Sequence, residues 1–127
     1  MANKDLIKIF DSLNSKYFNN EVYAGICWRT IRLGKERVTL GVCSTDERVI
    51  RINACLKDPR IPLWYVKYIV FHEMIHALQG PLDEPHGPEF YAIEQEYPDF
   101  EKAIAFEEKK LHKILEHHRA AKSTKIP

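Results

Sequence analysis

Nothing in these 127 residues offers a covalent staple. Cys27, Cys43 and Cys55 are odd in number and widely spaced, and no C-x-x-C pair occurs. That argues against both a disulfide framework and a zinc ribbon, and fits a reducing compartment. The opening residues, MANKDLIKIF, lack the apolar stretch of a signal peptide, and no run approaches the ~18–20 apolar residues of a membrane span. The expected setting is the cytoplasm, with no membrane partner. A strong charge of one sign is missing too: the formal net charge is +1, so bulk electrostatics names no partner. Neither an internal repeat nor a low-complexity tract is present.

What remains is a chain with 45% hydrophobic and 11% aromatic residues. That is enough for one domain burying roughly two-thirds of its unfolded surface. The expectation is a single domain over 1–127, with 119–127 as a frayed tail. Charge is locally uneven. Arg29, Arg32, Lys35, Arg37, Arg48, Arg51, Lys57 and Arg60 dominate 29–60, whereas 83–101 hold seven acids and neither Lys nor Arg.

Apolar positions Leu6, Ile9, Phe10, Leu13 and Tyr17 predict an amphipathic helix over 5–18, stopped by Asn19-Asn20. Three β-branched or aromatic runs follow at 26–33, 37–43 and 48–53. Short turn-like links between them imply antiparallel neighbours. Arg48 and Arg51 give the third run the look of an edge strand. Pro59 and Pro62 break the chain before a helix from about Leu63 to Leu78, closed by Gly80-Pro81. Pro88 can open a further helix through Tyr97, and a last one is expected over 99–118, with Ala103, Phe106, Lys110 or Leu111, and Ile114 on one stripe.

The helix ahead of Gly80 raises the functional question. Between Lys67 and Gln79 it is apolar except for His72, Glu73 and His76, and ionisable groups in such a setting need partners. His72 and His76, four apart, project from one face about a turn apart and can reach one metal ion. Glu73 lies where it can meet a water on that ion without being a ligand. This is the H-E-x-x-H arrangement of zinc metallopeptidases: imidazoles leave Zn²⁺ most of its charge, bound water becomes acidic, and a carboxylate takes its proton. The bland alternative is a pair of core histidines satisfied by backbone or by Glu73.

Such a site wants a third protein ligand and an open position. His86 is favoured, because the chain must turn back after Gly80-Pro81 and Gly87-Pro88 would hold the loop. Asp83, Glu84, Glu89 and Glu94 are carboxylate alternatives. The metzincin pattern fails, since it wants Gly and His where Gln79 and Leu82 stand.

FDSLNSKYFNNEV with ICW, then VIRIN, then WYVKYIVFHEMIHAL and HGPEFYAIEQEYPDFEKA together resemble the SprT-like zinc metallopeptidases, with the related YgjP-type metallopeptidases close behind. The resemblance covers most of the chain. It implies an α+β, zincin-like fold: an N-terminal helix, a small three-stranded antiparallel sheet, a metal-binding helix and two C-terminal helices. It also implies Zn²⁺ held by His72, His76 and His86, with Glu73 as general base. Some relatives carry a C-terminal zinc ribbon or long partner-binding tails, and neither is expected here.

The expected partner is therefore a protein or peptide substrate with flexible or unfolded segments. The arginines of 29–60 admit DNA phosphates as a second partner, or explain themselves as surface charge. His112, His117 and His118 raise a second metal site against a solvated helix end. Tyr91, Tyr97 or His112 could supply an oxyanion donor. Two rivals to a simple protease stand beside it. One is a non-catalytic, zinc-stabilised module binding protein or nucleic acid, its fourth ligand Asp83 or Glu94. The other is an enzyme silent until DNA or a partner opens it.

Overall fold

The computed structural model describes residues 4–34, 38–80 and 86–123, with backbone alone beyond 118. Helix α1 spans Leu6–Tyr17, and Asp5 caps it by accepting from the backbone N–H of Ile7 and Lys8. It buries Leu6, Ile9, Phe10 and Leu13. Asn19 and Asn20 then adopt φ of 51° and 59°, a left-handed conformation that asparagine tolerates, and the helix stops where the Asn pair predicts. Asn14 is buried in α1: its Nδ2 donates to the Val22 carbonyl at 2.9 Å and its Oδ1 accepts from the Val22 N–H at 3.1 Å. This folds the chain back towards the sheet.

Three strands form that sheet: β1 (Gly25–Arg29), β2 (Gly41–Ser44) and β3 (Val49–Asn53), in the order β1-β3-β2. Strands β2 and β3 are antiparallel, whereas β1 runs parallel to β3, with Gly25 opposite Val49 and Arg29 opposite Asn53. The expected all-antiparallel sheet is thus corrected to a mixed one, and β3 lies at the centre rather than at an edge. The reason is in the link. Strand β1 ends at Arg29, well before the expected 33, and β2 starts only at Gly41, so the link is too long to be the tight turn that would pair β1 with β2. Asn53, at the end of β3, clamps that crossover. Its Nδ2 donates to the carbonyls of Ile31 and Thr39 at 3.0 and 2.9 Å, and its own N–H donates to Leu40 O. The arginines that suggested an edge are handled otherwise: Arg48 sits in the β2–β3 turn, and Arg51 pairs with Glu47 at 3.3 Å on the outer face.

Ile50 and Ile52 of β3 point inward and are fully buried against α2, Leu63–Gln79. This helix is the centre of the molecule. Tyr65, Val66, Val70, Phe71, Met74 and Ile75 are completely covered, and Phe71 meets the rings of Tyr17, Phe18 and Tyr97 at 5.5, 5.2 and 5.3 Å. Burying each such side chain contributes roughly 1.5–3 kcal/mol. Gly80, with φ +73°, closes α2 in a conformation few other residues adopt, its N–H donating to His76 O at 2.9 Å.

Helix α3 (Pro88–Glu94) starts on Pro88, as expected. The expected last helix is one helical run in three parts: α4 (Phe100–Phe106), a π-helical turn over Glu107–Leu111, and α5 (His112–Ser123). Its backbone stays helical to Ser123, while the rest of the expected frayed tail, 124–127, lies outside the described residues. No helix among the described residues is long and apolar enough to cross a membrane. The architecture is α+β, with α2 between the sheet and the C-terminal helices.

Candidate metal centre

The helical spacing of His72 and His76 brings their ring centroids to 5.1 Å. His86 arrives from the segment just before α3, with its ring 5.1 Å from His72 and 4.9 Å from His76. One nitrogen from each of the three rings lies within 4.8 Å of the others, and His76 Nε2 is 3.0 Å from His86 Nε2. Beneath them sits Phe90, 2% exposed, with its ring 4.8, 4.5 and 5.0 Å from those of His72, His76 and His86. A rigid aromatic face thus backs all three imidazoles.

Glu94, read from the sequence as a carboxylate alternative for the third ligand, has a different place. Its buried Oε2 meets His72 Nδ1 at 2.5 Å. A carboxylate there keeps the proton on Nδ1 and leaves the Nε2 lone pair for an ion, the usual support behind a metal-binding histidine. Glu89 is exposed on α3, and Asp83 and Glu84 lie outside the described residues. Burial, helped by repulsion from the neighbouring imidazoles, pushes His76 down to about 4 and lowers His86 as well. Both therefore stay neutral at neutral pH, with the lone pairs that a metal ligand must offer. Three convergent imidazole nitrogens, one ring braced by a carboxylate, fit a divalent ion such as zinc, and no fourth donor joins the cluster among the described residues.

Glu73 is 6% exposed and follows His72 on the helix. Gly41 of β2 packs directly on it, so that a Cβ there would lie 3.0 Å from Glu73 Cγ. Burial pushes the Glu73 carboxyl up to about 7, with His72 pulling the other way. A carboxyl tuned to exchange its proton near neutral pH has the property a general base needs.

A cleft of about 710 Å³ opens over these groups. Val38, Leu40 and Val42 line one wall, Tyr68 and Ile69 the other. None of the three oxyanion candidates lines it. Tyr97 is buried, its hydroxyl donating to Trp64 O at 3.0 Å; Tyr91 leans on Phe100; His112 is exposed on α5. Tyr68 is there instead. Burial, then the nearby Glu94, holds its hydroxyl well above the usual tyrosine range, so it remains a donor. Sequence reasoning missed Tyr68, Phe90 and Gly41; the only signal was their helical or strand phase relative to the histidines.

His112, His117 and His118 form no second metal cluster among the described residues: His118 Nε2 instead meets Asp58 Oδ2 at 2.9 Å. Asp58 also accepts from Arg60 Nη2 at 2.6 Å, and Lys57 covers the Trp28 ring at 5.3 Å. Part of the basic charge of 29–60 is thus engaged within the protein.

A model of the SprT-like family matches residues 6–112, from α1 to the start of α5 and across the whole site. The chain belongs to the SprT-like family, which is associated with metallopeptidase activity. No curated protein matches it.

Proposed function

We propose that this protein is a zinc-dependent metalloendopeptidase that cuts flexible or unfolded protein segments in the cytoplasm. One observation carries the reading: three imidazole nitrogens within 4.8 Å of one another, beside a buried carboxyl held near neutral pKa. When bound, zinc polarises a carbonyl and makes water acidic enough to lose a proton near neutral pH. His72, His76 and His86 would hold the ion, and Glu94 would orient His72. Glu73, walled off by Gly41, takes the proton of the attacking water and delivers it to the leaving nitrogen. Tyr68 donates a hydrogen bond towards developing negative charge in the cleft. The substrate lies extended beside β2, whose outer side has no strand partner among the described residues.

The alternative, a zinc-stapled binding module, requires a closed four-ligand site. Glu94, one of its two candidate closers, is committed to His72 Nδ1. The test is Glu73→Gln in zinc-loaded protein, assayed on an unfolded protein with and without DNA. Full zinc content with cleavage reduced about 10³-fold or more supports the enzyme. Undiminished cleavage eliminates Glu73 as the base, and a rate that rises with DNA reveals a partner-gated enzyme.

A further inference from the structure

Helix α2 carries one cationic side chain, Lys67, that the metal centre leaves unused. Lys67 and Trp64 lie on the side of α2 turned away from Ile69 and Glu73, where they line a hollow of about 440 Å³ between α1, the first turns of α2 and the link from α3 to α4. Among the described residues none lines both this hollow and the metal cleft, so a molecule held here would not obstruct the histidines.

The walls of the hollow are already in place. Its floor is Ile9 and Leu13 of α1, both buried, with the half-buried Trp64 of α2. The Tyr97 hydroxyl donates to Trp64 O at 3.0 Å and fixes the α3–α4 link against α2, while the Trp64 ring meets Phe106 in a T-shaped contact at 5.6 Å. An apolar side chain entering the hollow therefore meets a preorganised surface.

The rim is cationic. Lys16 and Lys67 line it, and Lys102 Nζ stands 4.3 Å from the centre of the Trp64 ring. None of the three lysines belongs to an ion pair among the described residues. Asp99 is the one acid among the described lining residues. An apolar floor inside such a rim suits carboxylates grouped around a large apolar side chain. Nucleic acid suits it less. Lys102 and Lys16, the latter 5.5 Å from the Tyr17 ring centre, each cover a ring face on which a base could stack, and Asp99 repels phosphate. The chain's own residues 119–127 carry Arg119, Lys122 and Lys125 and no acid, so like charge keeps them out.

We propose that this hollow is a docking site for an acidic, flexible protein segment, which sets one large apolar side chain against Leu13 and Trp64 and its carboxylates on Lys16, Lys67 and Lys102.

The probe is a short unstructured peptide of aspartates and glutamates around one leucine, blocked at both ends. Binding to the full chain is read by fluorescence anisotropy of the labelled peptide and, with unlabelled peptide and Trp28→Phe protein, by the emission of Trp64, the one tryptophan left. Binding should saturate, shift the Trp64 emission and weaken as salt rises. Lys16→Glu with Lys67→Glu should weaken it about tenfold or more, and Asp99→Asn should tighten it. Exchanging the leucine for serine should also weaken it about tenfold or more. Should the double variant fold poorly, Lys67→Met keeps the stem of the side chain and should weaken binding in the same direction. The proposal falls if the leucine-free peptide binds equally well, which would leave only diffuse attraction to lysines. It falls if oligothymidylate displaces the peptide at equal concentration, or if sedimentation shows a dimer that Lys67→Glu turns into a monomer, which would make the occupant a second copy. Absence of saturable binding by the parent overturns it as well. None of these measurements requires cleavage, so they stand or fall apart from the peptidase reading.

Discussion

Gly41 and Glu73 touch so closely that no side chain fits between them: a Cβ on Gly41 would lie 3.0 Å from Glu73 Cγ, 3.2 Å from Oε2 and 3.3 Å from Cδ. The backbone of β2 is therefore one wall of the pocket in which the carboxyl sits. Gly41→Ala should push Glu73 aside by a few tenths of an ångström or move β2. Displacements approaching 1 Å cost up to about 10²-fold in rate, so cleavage should fall by about 10-fold to 10²-fold. Zinc stoichiometry should not change, because Glu73 is no ligand. Rate and metal content measured on one preparation settle the point; an unaltered rate would mean that the contact is incidental.

On the proposed reading, Glu94 would act on the metal through His72. Replacing it with Gln keeps the shape but removes the charge at Nδ1. Zinc affinity should drop about 10–100-fold, the usual result of removing such a partner. Competition against a chromophoric chelator reads this directly. Parent-like affinity would show that packing alone orients His72.

Phe90 supports three rings at once. Phe90→Ala should destabilise the metal-free protein by about 3–5 kcal/mol through the cavity it leaves, with Phe90→Leu milder. Zinc should also stabilise the alanine variant less than the parent, because the imidazoles lose their backing. Urea unfolding with zinc and with chelator separates the two effects. Equal zinc increments in parent and variant would confine Phe90 to core packing.

The pH dependence of the metal-free protein has a definite sign. Glu73 is raised from 4.5 to about 7 on folding, so its contribution is fully present at low pH and is lost as pH rises through 7. The range of that change is at most about 3 kcal/mol. His76, lowered from 6.5 to about 4, runs the other way: its contribution is present at neutral pH and lost as pH falls towards 4. The two slopes offset each other in the parent. Glu73→Gln removes one of them, so in chelator its stability should climb more steeply from acid to neutral pH than the parent's. Parallel urea-unfolding curves across that range would show that Glu73 does not titrate as described.

Particular residues show how much of the three-histidine cluster is legible in the sequence. His72 and His76 were legible because i, i+4 neighbours share a helical face whatever surrounds the helix. His86 was legible because Gly80-Pro81 ends α2 and forces the chain to return. The contact of Glu94 with His72 is not legible, since it depends on how α3 docks on α2. Sheet order was beyond reach for a related reason. It is set by Asn53 gripping Ile31 and Thr39 across the crossover, a long-range bond with no local periodicity. The π turn over Glu107–Leu111 shows in the sequence only as an open choice between Lys110 and Leu111 on the stripe of Ala103, Phe106 and Ile114; the extra residue puts Leu111 in the core.

Strand β2 is only four residues long and, among the described residues, pairs on one side. A backbone edge this short limits how many rungs a guest can form. On the proposed reading a polypeptide would be gripped briefly, and each fragment, holding fewer rungs than the whole, would let go. The same brevity would offer other copies of the protein a poor platform for strand stacking.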